Sequence, residues 1–169
     1  EWVPSIGRSF DLAELDGEPF VKLDFTIMYD ALSPIQRAND VVTSFARADF
    51  PLVPFVQPYL QIWDFTQTNR KTSPEGGTFA GFGLIRHQSI GFARTLDLDY
   101  RFGYSGGVFG TRSGPAYHRL TASTTFTVTE SFSVTPMLVV QKHIGSDRTG
   151  TLGIGTKLIA QIAATWKLN

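Results

Sequence analysis

Residues Thr151–Asn169, TLGIGTKLIAQIAATWKLN, alternate between two kinds of side chain. One set is Leu152, Ile154, Thr156, Leu158, Ala160, Ile162, Ala164, Trp166 and Leu168, mostly apolar. The other is Thr151, Gly153, Gly155, Lys157, Ile159, Gln161, Ala163, Thr165 and Lys167, small or polar with one exception. A period of two is the signature of a β-strand, whose successive side chains point to opposite faces. A strand this long, with lysine and glutamine on one side, suits lipid on its apolar face and a packed polar lumen on the other.

Working outward, the same alternation marks about eight strands, near 19–31, 41–52, 54–66, 77–91, 94–105, 116–129, 131–144 and 150–168. Each is long enough to cross a bilayer as a tilted strand of about 9–11 residues. Strands of soluble proteins are typically about five or six residues long. The connections alternate in length. Polar, Gly- or Pro-containing ones fall at 32–40, 67–76, 105–115 and 145–149, and tight ones at Pro51–Pro54, Phe92–Ala93 and Glu130–Ser131. Long loops at one end and short turns at the other are the pattern of outer-membrane barrels. The expected fold is therefore all-β, an eight-stranded antiparallel up-and-down transmembrane β-barrel over residues 19–169. An even strand number places both barrel ends on the short-turn side. Residues 1–18 are expected as a loose N-terminal strap, or as a short amphipathic helix around Ser9–Leu15.

The two faces separate by chemistry. Val21, Leu23, Phe25, Ile27 and Tyr29 oppose Lys22, Asp24, Thr26 and Asp30; Leu96, Leu98, Tyr100, Phe102 and Tyr104 oppose Asp97, Asp99, Arg101 and Gly103. Leu120, Ala122, Phe126 and Val128 oppose Arg119, Thr121, Ser123, Thr125 and Thr127. Tyr29, Trp63, Phe65, Tyr104 and Tyr117 fall near the long-loop end. Phe20, Phe50, Phe55, Phe92, Phe132 and Trp166 fall near the other, as two interfacial belts would.

Composition narrows the function classes. Fifteen basic residues balance fifteen acidic ones in 169, which gives no electrostatic footprint for nucleic acid. The absence of cysteine excludes disulfides and thiolate metal sites, and three scattered histidines argue against a zinc centre. No metal and no cofactor is expected. No apolar run reaches the roughly 18 residues of a transmembrane helix. The chain starts at Glu1 without a basic segment leading into an apolar one, so the expectation is that a signal peptide was removed or that the chain was trimmed.

This architecture resembles the small outer-membrane barrels of the OmpA/OmpX type over residues 19–169. The resemblance implies a monomer in the bacterial outer membrane, in contact with membrane lipids and lipopolysaccharide.

Face assignment puts Lys22, Arg47, Arg101, Arg119 and Lys157 in the lumen with Asp24, Asp49, Asp97 and Asp99. Charges buried singly are very costly, so they are expected to pair. An eight-stranded barrel is just wide enough for side chains to fill. A salt-bridged plug is the first reading, and a narrow, porin-like pore or small-solute barrel is an alternative. Gly81, Gly83, Gly103, Gly153 and Gly155 either leave a cavity or make room for Phe45, Tyr59 and Trp63. Two prolines within strands, Pro58 and Pro136, remove ladder hydrogen bonds. Asp64 and Lys142 on apolar faces lie near the loop rim, where they can snorkel. Arg70, Lys71, Glu75, Arg112, Asp147 and Arg148 form a mixed-charge rim.

His87-Gln88-Ser89 is the sharpest local signal. A His and a Ser two apart on a strand share a face, so the imidazole can activate the hydroxyl. The pair resembles the His-x-Ser of outer-membrane phospholipase A and of lipid A deacylases of the PagL type. That resemblance implies a lipid acyl hydrolase or acyltransferase with His87 as base and Ser89 as nucleophile; Asp97 and Asp99 are the nearby acids. Strict alternation puts Arg86 on the lipid face, whereas a bulge near Leu84–Ile85 would turn it inward and His87 and Ser89 outward. The leading expectation is a non-catalytic barrel with a structural, adhesive or lipid-contacting role.

Overall fold

A computed structural model describes residues 4–30, 41–68, 76–91, 94–108, 112–144 and 156–166. Much of the expected long connections, the Phe92–Ala93 turn, and Gly153 and Gly155 lie outside the described residues. So do Arg70, Lys71, Glu75, Asp147 and Arg148 of the rim.

Ten strands form one antiparallel sheet: β1 Ser5–Leu15, β2 Glu18–Asp30, β3 Val41–Asp49, β4 Gln57–Gln67, β5 Gly77–Gly91, β6 Arg94–Ser105, β7 Gly114–Thr124, β8 Phe126–Thr129, β9 Phe132–His143 and β10 Thr156–Trp166. The all-β, up-and-down reading holds. Two parts of the expectation need correction: among the described residues there are ten strands, not eight, and the sheet is not closed. Among the described residues, β1 pairs only with β2 and β10 only with β9.

The strand count rises for two physical reasons. First, the segment expected as a strap or helix is a strand. Ile6, Arg8 and Phe10 lie opposite Ile27, Phe25 and Leu23, while Gly7, Ser9 and Asp11 lie opposite Thr26, Asp24 and Lys22. Asp16 and Gly17 join β1 to β2 with φ of 54° and 81°. Positive φ at both central residues is what a type I′ hairpin turn demands, and Asp-Gly is among its preferred pairs. Second, one expected strand is split. Ser123 lies opposite Met137 and Phe126 opposite Val134, so β7 and β8 share one register line against β9. The break faces Pro136, which has no N–H to donate. Thr125 Oγ1 and Thr135 Oγ1, 2.9 Å apart, bridge the gap from the side. The sheet therefore makes nine successive passes.

Burial sorts by face. Of the apolar set, Leu158 is 70% exposed, Ile162 77%, Leu60 52% and Leu120 47%. On the opposite face Tyr59, Thr43, Gln61 and Val139 are buried. Among the described residues only four hydrophobic side chains, Val41, Tyr59, Val108 and Val139, are buried. A folded monomer of 18.7 kDa exposes about 8,300 Å². This chain exposes 11426 Å². Among the described residues the apolar face of the sheet has no second layer over it.

Candidate functional site

The polar face is organised by register. Lys22, Asp49, Tyr59, Gly83, Arg101, Arg119, Gln141 and Lys157 face one another in turn across eight strands. Asp24 and Arg47 form the neighbouring pair, and Asp97 and Asp99 lie on the same face of β6. All nine residues expected in the lumen thus share one face.

Tyr59 is the hub. Its hydroxyl donates to Asp99 Oδ1 at 2.7 Å and accepts from Arg101 Nε at 2.9 Å. The Arg47 guanidinium stacks 3.9 Å from the centre of its ring. Arg47 in turn makes a two-pronged bond to Asp49, at 2.8 and 2.6 Å. Arg101 reaches Asp99 at 3.4 Å. The ring can lie flat because β5 supplies no side chain beneath it: a Cβ at Gly83 would collide with the Tyr59 ring. Planar guanidinium on an aromatic face and fork on carboxylate are the geometries in which arginine gains most.

Next to this ionic layer runs an aromatic string. Phe45 and Trp63 have ring centres 5.2 Å apart, Trp63 and Phe79 5.5 Å, Phe79 and Tyr117 5.5 Å, and Tyr117 and His143 6.4 Å. Phe79 and Tyr117 come from strands that are not neighbours. They stack over Gly103 of β6, where a Cβ would stand 2.5 Å from Phe79 and 2.9 Å from Tyr117. Gly83 and Gly103 therefore make room for rings, and Gly81 makes room for the Gln61 side chain.

Pairing in the rest of the expected network is incomplete. Asp24 accepts a hydrogen bond from Ser9 of β1. Among the described residues Lys22, Arg119 and Lys157 have no ion-pair partner, and Arg119 lies directly opposite Arg101. Two like charges on one rung are unfavourable and are held here by the flanking carboxylate and tyrosine.

His87 and Ser89 lie on the polar face, nearer the short-turn end. β5 keeps its register from Phe79 to Ser89, so no bulge occurs near Leu84–Ile85, and Arg86 stays on the apolar face opposite Leu98. There Arg86 donates to Gln88 Oε1 at 3.1 Å. His87 faces Asp97, with Nδ1 2.6 Å from Oδ1. A carboxylate on Nδ1 fixes the ring and leaves Nε2 available as a base. Ser89, two residues on, is exposed on the same face.

The apolar face has polar exceptions at its long-connection end. Asp64 accepts from Thr66 and Thr78, at 3.2 and 3.3 Å. Tyr100 and His118 are joined at 2.7 Å between hydroxyl and Nδ1. Near β1, Pro4, Ser5, Ile6, Ile27, Met28, Tyr29 and Val42 line a shallow apolar groove of about 350 Å³. Among the described residues no group of three or more His, Asp or Glu is placed to hold a metal ion. The Tyr100–His118 pair and the β1 hairpin were not singled out from sequence, although Asp16-Gly17 between alternating segments is a readable hairpin signal.

No family model matches this chain, and no curated protein or solved structure matches it.

Proposed function

We propose that this chain is an outer-membrane β-sheet protein that spans the bilayer as a barrel wall and serves a structural, adhesive or lipid-contacting role. The observation that carries the reading is the inversion of faces: exposed Leu, Ile, Phe and Trp on one side, and a packed layer of ions, tyrosine and glycine on the other. In water that arrangement squanders the hydrophobic effect; in lipid it is the favourable one. The dimensions agree. On β9 the apolar face runs from Lys142 down to Phe132, which packs on Trp166 at 5.6 Å. The ten steps between Lys142 and Phe132, at about 3.3 Å each and tilted by about 40°, span about 25 Å, the height of a barrel's apolar band. Backbone groups of an open edge have no partner in hydrocarbon, so the edges of the sheet close when it inserts. The Tyr59-centred layer then fills the lumen as a plug, which argues against the porin-like reading.

Folding into detergent micelles and phosphatidylcholine vesicles tests this. The expected result is strand circular dichroism and protease resistance that depend on the amphiphile. A folded, monodisperse chain in plain buffer overturns it.

A second reading, lipid acyl hydrolysis, is favoured by one observation, the 2.6 Å contact of Asp97 on His87 Nδ1. Ser89 is then the nucleophile, His87 the base and Asp97 the group that orients it. Release of fatty acid from phospholipid or lipid A by the folded protein, abolished in Ser89→Ala, is the expected outcome. Equal release by the variant removes the reading.

A further inference from the structure

One polar cluster interrupts the apolar face. His118 of β7 lies directly opposite Phe102 of β6 on one side and Lys142 of β9 on the other, and Thr156 of β10 lies beyond Lys142. The Tyr100 hydroxyl holds His118 Nδ1 at 2.7 Å, and the Phe102 ring centre is 5.4 Å from the imidazole centre. The imidazole is thus held by two aromatics of β6, Tyr100 and Phe102. Lys142 is exposed and has no ion-pair partner among the described residues. A polar group on a lipid-facing surface is costly unless it meets a partner there.

What lies next to the cluster says which partner. One rung toward the turns, Leu120, Val140 and Leu158 are all exposed, and the face remains largely apolar down to Phe132 and Trp166. Cation-capable groups above an apolar panel about one acyl chain tall match an amphiphile with an anionic head and hydrocarbon tails. A soluble anion would have no use for the panel. The same end of the face on β4 and β5 carries Asp64 with Thr66 and Thr78 instead, a surface that repels phosphate.

We propose that His118 and Lys142, flanked by the Tyr100 and Thr156 hydroxyls, bind the phosphate of an acylated membrane lipid, whose chains lie along Leu120, Val140 and Leu158. The site rests on the membrane reading above, and the experiment separates the two. Insertion into phosphatidylcholine vesicles comes first. A chain that does not insert defeats the membrane reading and this site together.

For inserted protein, native mass spectrometry from detergent micelles then compares monophosphoryl lipid A with phosphatidylcholine as probes. The expected result is about fivefold or greater preference for the phosphorylated, anionic lipid, the scale set by one lysine near an anionic surface. The Lys142→Gln and His118→Gln double variant falls to near parity, and Lys142→Arg keeps the preference. Arg86→Gln, at the opposite end of the same face, leaves it unchanged. Undiminished preference in the double variant overturns the site, as does equal loss in Arg86→Gln. Displacement of the lipid by inorganic phosphate at matching concentration shows a free-anion site instead and overturns the lipid assignment.

Discussion

On β4, near the middle of the sheet, Tyr59 is fully buried, hydrogen-bonded at its hydroxyl and stacked beneath a guanidinium. On β10, at one edge, ten of eleven residues are exposed, and on β1, at the other, all eleven are. β4 and β10 obey the same alternation, and β1 does so as far as Asp11. They differ in whether a neighbouring strand supplies side chains that lean over the polar face. In the middle, glycines on β5 and β6 let rings from β4, β5 and β7 lie across them. At the edges, among the described residues, no ring lies over a glycine in this way, and Ser9 of β1 reaches only its direct neighbour Asp24. Burial here comes from side chains shared between strands, so it rises with the number of neighbours and not with the hydrophobicity of the strand.

The largest effect expected from breaking that contrast is at the hub. Tyr59→Ala empties the space over Gly83 and leaves Asp99 and Arg101 without the hydroxyl between them. Its cost is about 3–5 kcal/mol, the range for truncating a buried aromatic, read as a fall in the urea midpoint of the micelle-folded protein. The next tests the edge. Ile162→Arg on the outward face of β10 costs about 2–4 kcal/mol in vesicles if lipid lies against it. A variant as stable as the parent there means that water, not lipid, meets this strand. The smallest sharpens the comparison at β1. Gly17→Ala forces a left-handed φ on a residue with a Cβ and costs about 1 kcal/mol. Faster hydrogen exchange confined to β1 and β2, with β4 to β6 unchanged, is the expected pattern.

Much of this fold was legible because period-two alternation is a strong signal when strands exceed nine residues. The eight expected segments all contain strands, and the sharing of one face by Lys22, Arg47, Asp49, Arg101 and Arg119 follows from counting alternate residues. That Gly83 makes room for Tyr59 in particular was not legible, since the pairing of the two depends on register. Alternation is silent on what lies across the sheet. That His87 faces Asp97 rather than Asp99 depends on the register of β5 against β6, which the spacing of motifs does not set. Ser5–Leu15 was obscured because its alternation slips at Leu12, where two register shifts fall between Asp11 and Glu14. Pro136 was visible as a missing donor, but its effect falls on the opposite strand, as the gap between β7 and β8.

The nine passes carry a consequence of plain arithmetic. In a meander each pass reverses the last, so the first and the ninth, β1 and β10, point the same way. A ring made by joining them has a single parallel seam among antiparallel neighbours. Parallel pairing is slanted and slightly weaker per residue, so such a ring carries one line of least resistance along its whole height. That is where it would unzip first under load.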